Sequence, residues 1–353
     1  MPGIIQFDKR INLQIIIVGL GANGSHFYRG LCQDLRTHLD AFQHNRSKRP
    51  FYLEHIMLVD GDRVEQKNLG NQIFEPEEVD QPKVQALAER YGDFYGISTF
   101  RRTEYIADAS DLSTLLADPD RDRDKNVMFL PVLIGMVDNH ATRQIFDGYF
   151  RSEEARTLLY IDAGVHGVSL DRWNDAKPET GNGGQIVVGL KFNGRTILEP
   201  AGSLYPEILT DTESRIPGCG EVIKSAPQRC ATNKMAAQLT NNIINTLLTE
   251  KAILVHQITF DTRMCGSRPE FCTLAQQELF KETLKEMASS KQEQATDRPS
   301  VPIRQKSQDS GPHVLNYDEE EQGEENLDDE EDWDDEVDDD EEDWDDEDEE
   351  EEL

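Results

Sequence analysis

Several features are scarce in this chain of 353 residues, and each scarcity closes off a class of protein. No apolar run approaches the roughly 20 residues that a membrane-crossing helix needs. Cysteine occurs at only five positions, 32, 219, 230, 265 and 272. Their number is odd, they are widely spaced and no two form a Cys-x-x-Cys pair. A disulfide framework and a structural zinc site are therefore not expected, and a reducing, cytoplasmic location is. Lys and Arg form no stripe along the body of the chain, so nucleic-acid binding by that body is not expected. The first residues, Met1-Pro2-Gly3-Ile4, do not read as a signal peptide.

Basic residues are absent altogether from Asp318 to Leu353, a stretch that holds 28 Asp or Glu. Most of the net charge of −34 sits there; the rest of the chain has 42 acidic against 36 basic residues. The body therefore reads as an ordinary, mildly acidic globular unit with a polyanionic tail. The tail repeats Glu-Glu-Asp-Trp-Asp-Asp-Glu at 330–336 and 341–347. Like charges repel, so disorder is expected from 318 to 353. Trp333 and Trp344 set within acid suit anchoring to a basic partner; a purely solubilising tail is the alternative. Residues 289–317, rich in Gln, Ser, Pro and charge, read as a flexible linker. Residues 1–288 remain as the folded unit.

What the body does contain is a glycine loop, Gly19-Leu20-Gly21-Ala22-Asn23-Gly24. It follows the apolar run Ile15-Ile16-Ile17-Val18, which reads as a buried parallel strand. It precedes Phe27, Leu31, Leu35 and Leu39, which recur at helical spacing up to about Phe42. Strand, glycine turn and helix together make a phosphate seat. Gly19 serves the tight turn, Gly21 admits an anion close to the backbone, and Gly24 lets the helix pack closely. The N–H groups of the first helical turn face the negative charge. A second strand, Ile56–Val59, ends at Asp60. An acidic residue there can hold ribose hydroxyls, although an Asp at a strand end also serves as a plain turn former. The distance from the glycines is about twice the usual one, because the first helix and its basic turn, 44–50, are long.

The stretch from Val59 to Gln72, with Pro82-Lys83 after it, resembles the ThiF/MoeB/HesA family and the adenylation domains of ubiquitin-activating enzymes. That family's pattern is Asp-x-Asp-x-Val, then Ser-Asn-Leu-x-Arg-Gln, then Gly-x-x-Lys. This chain matches at Asp60, Asp62, Val64, Asn68, Leu69, Gln72 and Lys83. It departs at Lys67, where Ser is usual, and at Asn71, where a phosphate-contacting Arg is usual. The long first helix and the missing zinc cysteines are more similar to the PRTRC-type branch. A lysine in the first turn of a helix, after Pro82, can reach a triphosphate as a point charge, whereas an ordinary surface lysine stays in water. Loss of Arg at 71 removes a charge and a bidentate fork, for which Lys67 or Arg143 can substitute.

The resemblance implies a Rossmann-like, doubly wound α/β sheet, mostly parallel, with an added antiparallel segment and a crossover loop at 200–230. It also implies ATP and Mg²⁺ as ligands and an adenylyltransferase activity. Residues 82–92 read as helical, a third strand is expected near Ser98–Ile106 and a later one over Ile253–Phe260, and a fourth strand, Val127–Ile134, leads to Asp138-Asn139 with Arg143 beyond. In the family this Asp holds Mg²⁺, and an Asp at the carboxyl end of a central strand lies where open sheets bind ligands. Asn139 onward also suits a helix N-cap. Asn193-Gly194 marks a hairpin between Ile186–Phe192 and Arg195–Leu198.

Pro217-Gly218-Cys219-Gly220-Glu221 resembles the Pro-x-Cys-x-Glu of ThiF crossover loops. Cys219 is accordingly a candidate acyl acceptor, with a plain loop thiol as the alternative and Cys230 as runner-up. The substrate implied is the C-terminal glycine of a ubiquitin-like or sulfur-carrier protein. Relatives are usually homodimers in which an N-terminal Arg crosses between subunits, a part for which Arg10 is poorly placed. Two other readings use the same loop: a non-catalytic nucleotide-binding scaffold, and an NAD-dependent oxidoreductase.

Overall fold

A computed structural model describes residues 2–44, 48–118, 126–173, 175–211 and 228–296. All lie in one unit, Met1–Arg298. Cys219, most of the expected linker and the whole acidic tail fall outside the described residues.

The sheet is organised around β2 (Arg10–Val18), buried along nearly its full length. On one side it pairs in parallel with β3 (Phe51–Val59), which pairs in parallel with β4 (Thr99–Arg102). On the other it pairs in parallel with β5 (Val127–Gly135), and β5 with β6 (Leu158–Val165). The chain thus leaves β2 in one direction for β3 and returns on the far side for β5. This reversal of strand order marks where open α/β sheets bind ligands.

Strand β6 then pairs antiparallel with β7 (Gly183–Phe192), which pairs with β10 (Val255–Asp261), and β10 with β11 (Gly266–Phe271). β8 (Arg195–Leu198) folds back on β7 as a hairpin. Asn193 and Gly194 have φ of 48° and 81°, the left-handed pair that this two-residue turn demands. Outside the main sheet, β1 (Ile5–Gln6) pairs with β9 (Ala252–Ile253).

Burial on both faces explains the unbroken apolar run in β2. Ile11, Leu13, Ile15 and Ile17 join a core with Phe27, Leu31 and Leu35 of α1 (Ala22–Ala41) and Ala236, Ile244 and Leu247 of α7 (Cys230–Glu250). Ile16 and Val18 face the opposite layer, with Leu112 of α3 (Ala109–Leu115) and Phe146 and Phe150 of α4 (His140–Arg151). Each such side chain contributes about 1.5–3 kcal/mol on burial. The helical stretch expected over 82–92 is α2 (Lys83–Leu87), prolonged as a wider π turn over Ala88–Asp93.

Four expectations are corrected in detail. The third strand stops at Arg102 rather than Ile106, because the chain turns away and sends Tyr105 to Asp62. The strand expected over 253–260 is split between two sheets around Leu254, whose carbonyl accepts from Cys272 N–H. The early part of the expected crossover loop holds two single-turn helices, α5 (Ala201–Leu204) and α6 (Glu207–Thr210), each behind a proline. Helix α8 (Leu274–Thr296) runs past the expected linker start at Ser289, since no Gly or Pro breaks it before Pro299.

Strand β11 was not legible at all. Every one of its residues is exposed, and it carries Pro269. A proline in a sheet belongs on an edge strand, which β11 is.

Candidate functional site

The carboxyl ends of β2, β3 and β5 meet at the glycine loop. Gly19 N–H donates to the Val59 carbonyl at 3.0 Å, and Met136 N–H to the Val18 carbonyl at 2.9 Å. Gly19 has φ of 89°, which a side chain would strain. A Cβ on Gly24 would lie 1.9 Å from the Gly19 carbonyl oxygen, so the first turn of α1 packs directly on the loop. A Cβ on Gly21 would meet nothing within 4 Å. The first helical bond runs from Ser25 N–H to the Gly21 carbonyl, so the N–H groups of Ala22, Asn23 and Gly24 precede the ladder. The loop thus has a packed glycine at its base and an open one at its mouth, with donors beside it. That arrangement fits a phosphate.

Asp60 has a second role that sequence reasoning did not foresee. Its Oδ2 accepts from Leu20 N–H at 2.5 Å, and its Oδ1 from Asp62 N–H at 2.8 Å. The buried carboxylate therefore fastens the glycine loop to the end of β3. Burial pushes its pKa up, and the nearby Lys83 ammonium works against that.

Lys83 points toward this crevice: its buried Nζ pairs with Asp62 Oδ2 at 2.9 Å. The Tyr105 hydroxyl donates to the other oxygen of Asp62. Burial would raise the Asp62 carboxyl, but Lys83 and Tyr105 together bring it below the ordinary carboxylate value. Tyr105 also feels the charges of Asp60 and Asp138, which puts all four groups in one neighbourhood.

Asn68 is buried and closes a short 3₁₀ turn, its Oδ1 accepting from Glu65 N–H at 2.8 Å. Gln72 follows, with its Oε1 buried and without a hydrogen-bond partner among the described residues. Asn71 turns to α7, where its Oδ1 accepts from Asn233 Nδ2 at 3.1 Å.

On the β5 side, Asp138 is exposed and makes no side-chain hydrogen bond to a described residue. Asn139 caps α4, accepting from Thr142 N–H at 2.8 Å. His140 donates from Nδ1 to Asp211 at 2.8 Å, a pair 71 residues apart that no local pattern announces.

Arg143 departs from its expected role as a phosphate contact and as a substitute for Arg at 71. Its guanidinium is buried and turned into the sheet. Nε reaches both oxygens of Asp162 at 3.0 and 3.1 Å, and Nη2 reaches the Val137 carbonyl at 2.7 Å. Tyr160 donates to the same carboxylate at 2.9 Å. Lys67, the other expected substitute, is exposed and paired with Glu65 at 3.0 Å.

Arg10 starts β2, at the end opposite the glycine loop, against the Tyr52 ring. Cys32 and Cys272 are buried, and that burial pushes both thiols up to about 12, so neither is a nucleophile. Cys230 opens α7, and Cys265 is exposed.

Among the described residues no three His, Cys, Asp or Glu side chains gather as a metal site, and no helix is long and apolar enough to cross a membrane. A Mg²⁺ held mainly by phosphates needs only one or two protein carboxylates, and the exposed Asp138 fits that demand.

Residues 6–150, which span β1 to α4, match the ThiF family. No curated protein sequence matches the chain. Among solved structures, PaaA is similar with a TM-score of 0.46 and 14% identity, over 73% of this chain and 63% of that one. Escherichia coli MccB with ATP is similar with a TM-score of 0.45 and 16% identity, over 74% of this chain and 64% of that one. MccB with AMPCPP and MccA gives 0.42, again at 16% identity and over 74% and 64% of the two chains. The chain spans less than two thirds of the length of each of these proteins.

Proposed function

We propose that this chain is an ATP-dependent adenylyltransferase that activates a carboxylate. The observation that carries the reading is the convergence of an open glycine cradle, Lys83 and Asp138 at the tips of β2, β3 and β5, within the segment that matches the ThiF family. A carboxylate oxygen attacks the α-phosphorus of ATP. The bond to the β-phosphate breaks, pyrophosphate leaves, and the acyl group is joined to AMP. Little covalent chemistry is asked of the protein; positioning and charge stabilisation do the work.

The phosphates lie over the N-terminus of α1, with Gly21 at their closest approach. Asp60 offers its remaining acceptor positions to the ribose, beside Asp62. Lys83, Asn68 and Gln72 face the phosphates. Asp138 orients the reacting end and would hold Mg²⁺, which supplies charge neutralisation there. Asn139 and Arg143 keep Asp138 in place from behind.

The finer reading is that the carboxylate belongs to the C-terminal glycine of a ubiquitin-like or sulfur-carrier protein. Cys219 would be the acceptor of the acyl group in a cytoplasmic homodimer, and the acidic tail would engage a basic partner. ATP–pyrophosphate exchange with such a carrier tests it. Asp138→Ala should cut exchange by about 10²-fold or more. Folding should change by no more than about 0.5 kcal/mol, because the side chain is exposed and makes no hydrogen bond to a described residue. Exchange that persists in this variant contradicts the role given to Asp138.

A non-catalytic nucleotide-binding scaffold is the second reading, favoured by Asn71 in place of Arg. ATP binding without exchange on any carrier supports it. Binding of NAD in preference to ATP would support the oxidoreductase instead.

A further inference from the structure

The chain leaving β4 crosses the tip of β3 and sets an aromatic ring beside Asp60. Asp60 N–H donates to the Arg102 carbonyl at 3.2 Å, and Tyr105 stands three residues further on. Asp111 fastens this turn at both ends. Its Oδ1 accepts from Arg102 Nη2 at 2.7 Å and its Oδ2 from Ala107 N–H at 2.8 Å. Ile106 anchors it from below, buried in the layer that holds Val59 and Leu112. Tyr105 is therefore carried on a fixed turn, with its hydroxyl donating to Asp62.

Gly61, the residue after Asp60, makes room for the ring. A Cβ there would stand 2.6, 2.7 and 2.8 Å from Cε2, Cζ and Cδ2, three consecutive atoms of that ring. Nearly equal distances to neighbouring atoms put the point over the face of the ring, since an approach to its edge would favour one atom. One face of Tyr105 thus covers the Gly61 backbone. The residue is still 47% exposed, and no other ring of a described residue lies against it. Its second face is open.

In the proposed complex the ribose is held at Asp60 and the phosphates lie on the β2 side of it, at the N-terminus of α1. Base and phosphates leave a ribose on either side of its ring oxygen. The base is thereby directed to the β4 side of Asp60, where Tyr105 stands. A ring held in place with one face free takes a nucleobase by stacking.

We infer that the open face of Tyr105 stacks on the purine base of the bound nucleotide and fixes its position. The inference rests on the adenylyltransferase reading for the identity of its ligand. Ring and hydroxyl then do separate work: the ring holds the base, while the hydroxyl, through Asp62, serves the Lys83 that faces the phosphates.

Two substitutions separate these parts. Tyr105→Phe removes the hydroxyl alone, and Tyr105→Leu removes the ring with it. The full chain is titrated with ATP, AMP and inorganic tripolyphosphate, each with Mg²⁺. Tyr105→Leu should bind ATP and AMP about tenfold more weakly than Tyr105→Phe does, as loss of one stacked base predicts. Tripolyphosphate has no base and should bind the two variants alike within about twofold. An ethenoadenine analogue of ATP, whose emission is quenched by stacking, should darken on the wild type and on Tyr105→Phe and stay bright on Tyr105→Leu.

Equal ATP affinity in the two variants would overturn the inference and leave the adenylyltransferase reading standing. A difference of the same size with tripolyphosphate would also overturn it, by making the ring part of the phosphate seat. Bound analogue that stays bright on the wild type contradicts stacking whether or not Tyr105→Leu folds. A wild-type chain that binds neither ATP nor AMP would overturn both readings.

Discussion

Arg143→Ala is expected to cost about 3–5 kcal/mol of folding stability, because it strands a carboxylate inside the sheet. Asp162 is buried within β6, opposite the last residue of β5, and its oxygens accept from Arg143 Nε and from the Tyr160 hydroxyl. Arg143 in turn ties the Val137 carbonyl, at the end of β5, to that carboxylate. The pair therefore locks the tip of β5 to the body of β6, and Asp138 hangs from the locked corner. Truncating the arginine leaves Asp162 charged with one hydroxyl for company. Urea unfolding at neutral pH should show the loss as a lower midpoint at unchanged slope. Removing the charge as well, in Arg143→Met with Asp162→Asn, should recover much of it, since an absent buried pair costs less than half of one. A change within about 0.5 kcal/mol in Arg143→Ala would mean that the guanidinium does not hold this corner.

Gly24→Ala should be nearly as damaging, by a different route. The added methyl would stand 1.9 Å from the Gly19 carbonyl oxygen and 3.4 Å from Met136 Cβ. Its first obstacle is backbone, which cannot swing aside as a side chain can. Either α1 slides away from β2 or the loop changes shape, at a cost of about 1–3 kcal/mol. Both adjustments pull the Leu20 N–H off Asp60, which holds the loop at 2.5 Å. We expect a fold that survives with lower stability and nucleotide binding weakened by two orders of magnitude or more. Thermal unfolding and an ATP titration on the same sample separate the two effects. Unimpaired ATP binding would show that loop shape does not govern the ligand.

What the sequence disclosed was whatever is written in consecutive residues. The run Ile15–Val18 needs burial on both faces, and only a central strand offers that. Asn193-Gly194 demands left-handed backbone, so the β7–β8 hairpin followed directly. Lys83 was placed by the loop and proline before it, and it does face the crevice.

What stayed hidden depends on partners far along the chain. Arg143 looked free until Asp162 arrived on the neighbouring strand, 19 residues on. Asn71 is answered from α7, 162 residues away, and His140 from Asp211. Asp60 was read as a ligand group, yet its oxygens first serve Leu20 and Asp62 N–H groups that any residue would have. Backbone donors leave no trace in residue identity. Strand β11 lacks the alternation of apolar residues because no described residue buries either of its faces.

The account turns on phosphate lying at the mouth of the glycine loop, and Gly21 offers the sharpest way to ask. Nothing stands within 4 Å of a Cβ there, and φ of −70° is open to any residue. Gly21→Asp should therefore fold as the wild type does and place a carboxylate where the phosphate belongs. Titration of ATP with Mg²⁺ into both proteins is the direct measurement. Binding to the wild type and a loss of at least about 100-fold in Gly21→Asp, with unchanged unfolding midpoints, is the predicted result. Equal affinity in the two proteins would put the nucleotide elsewhere.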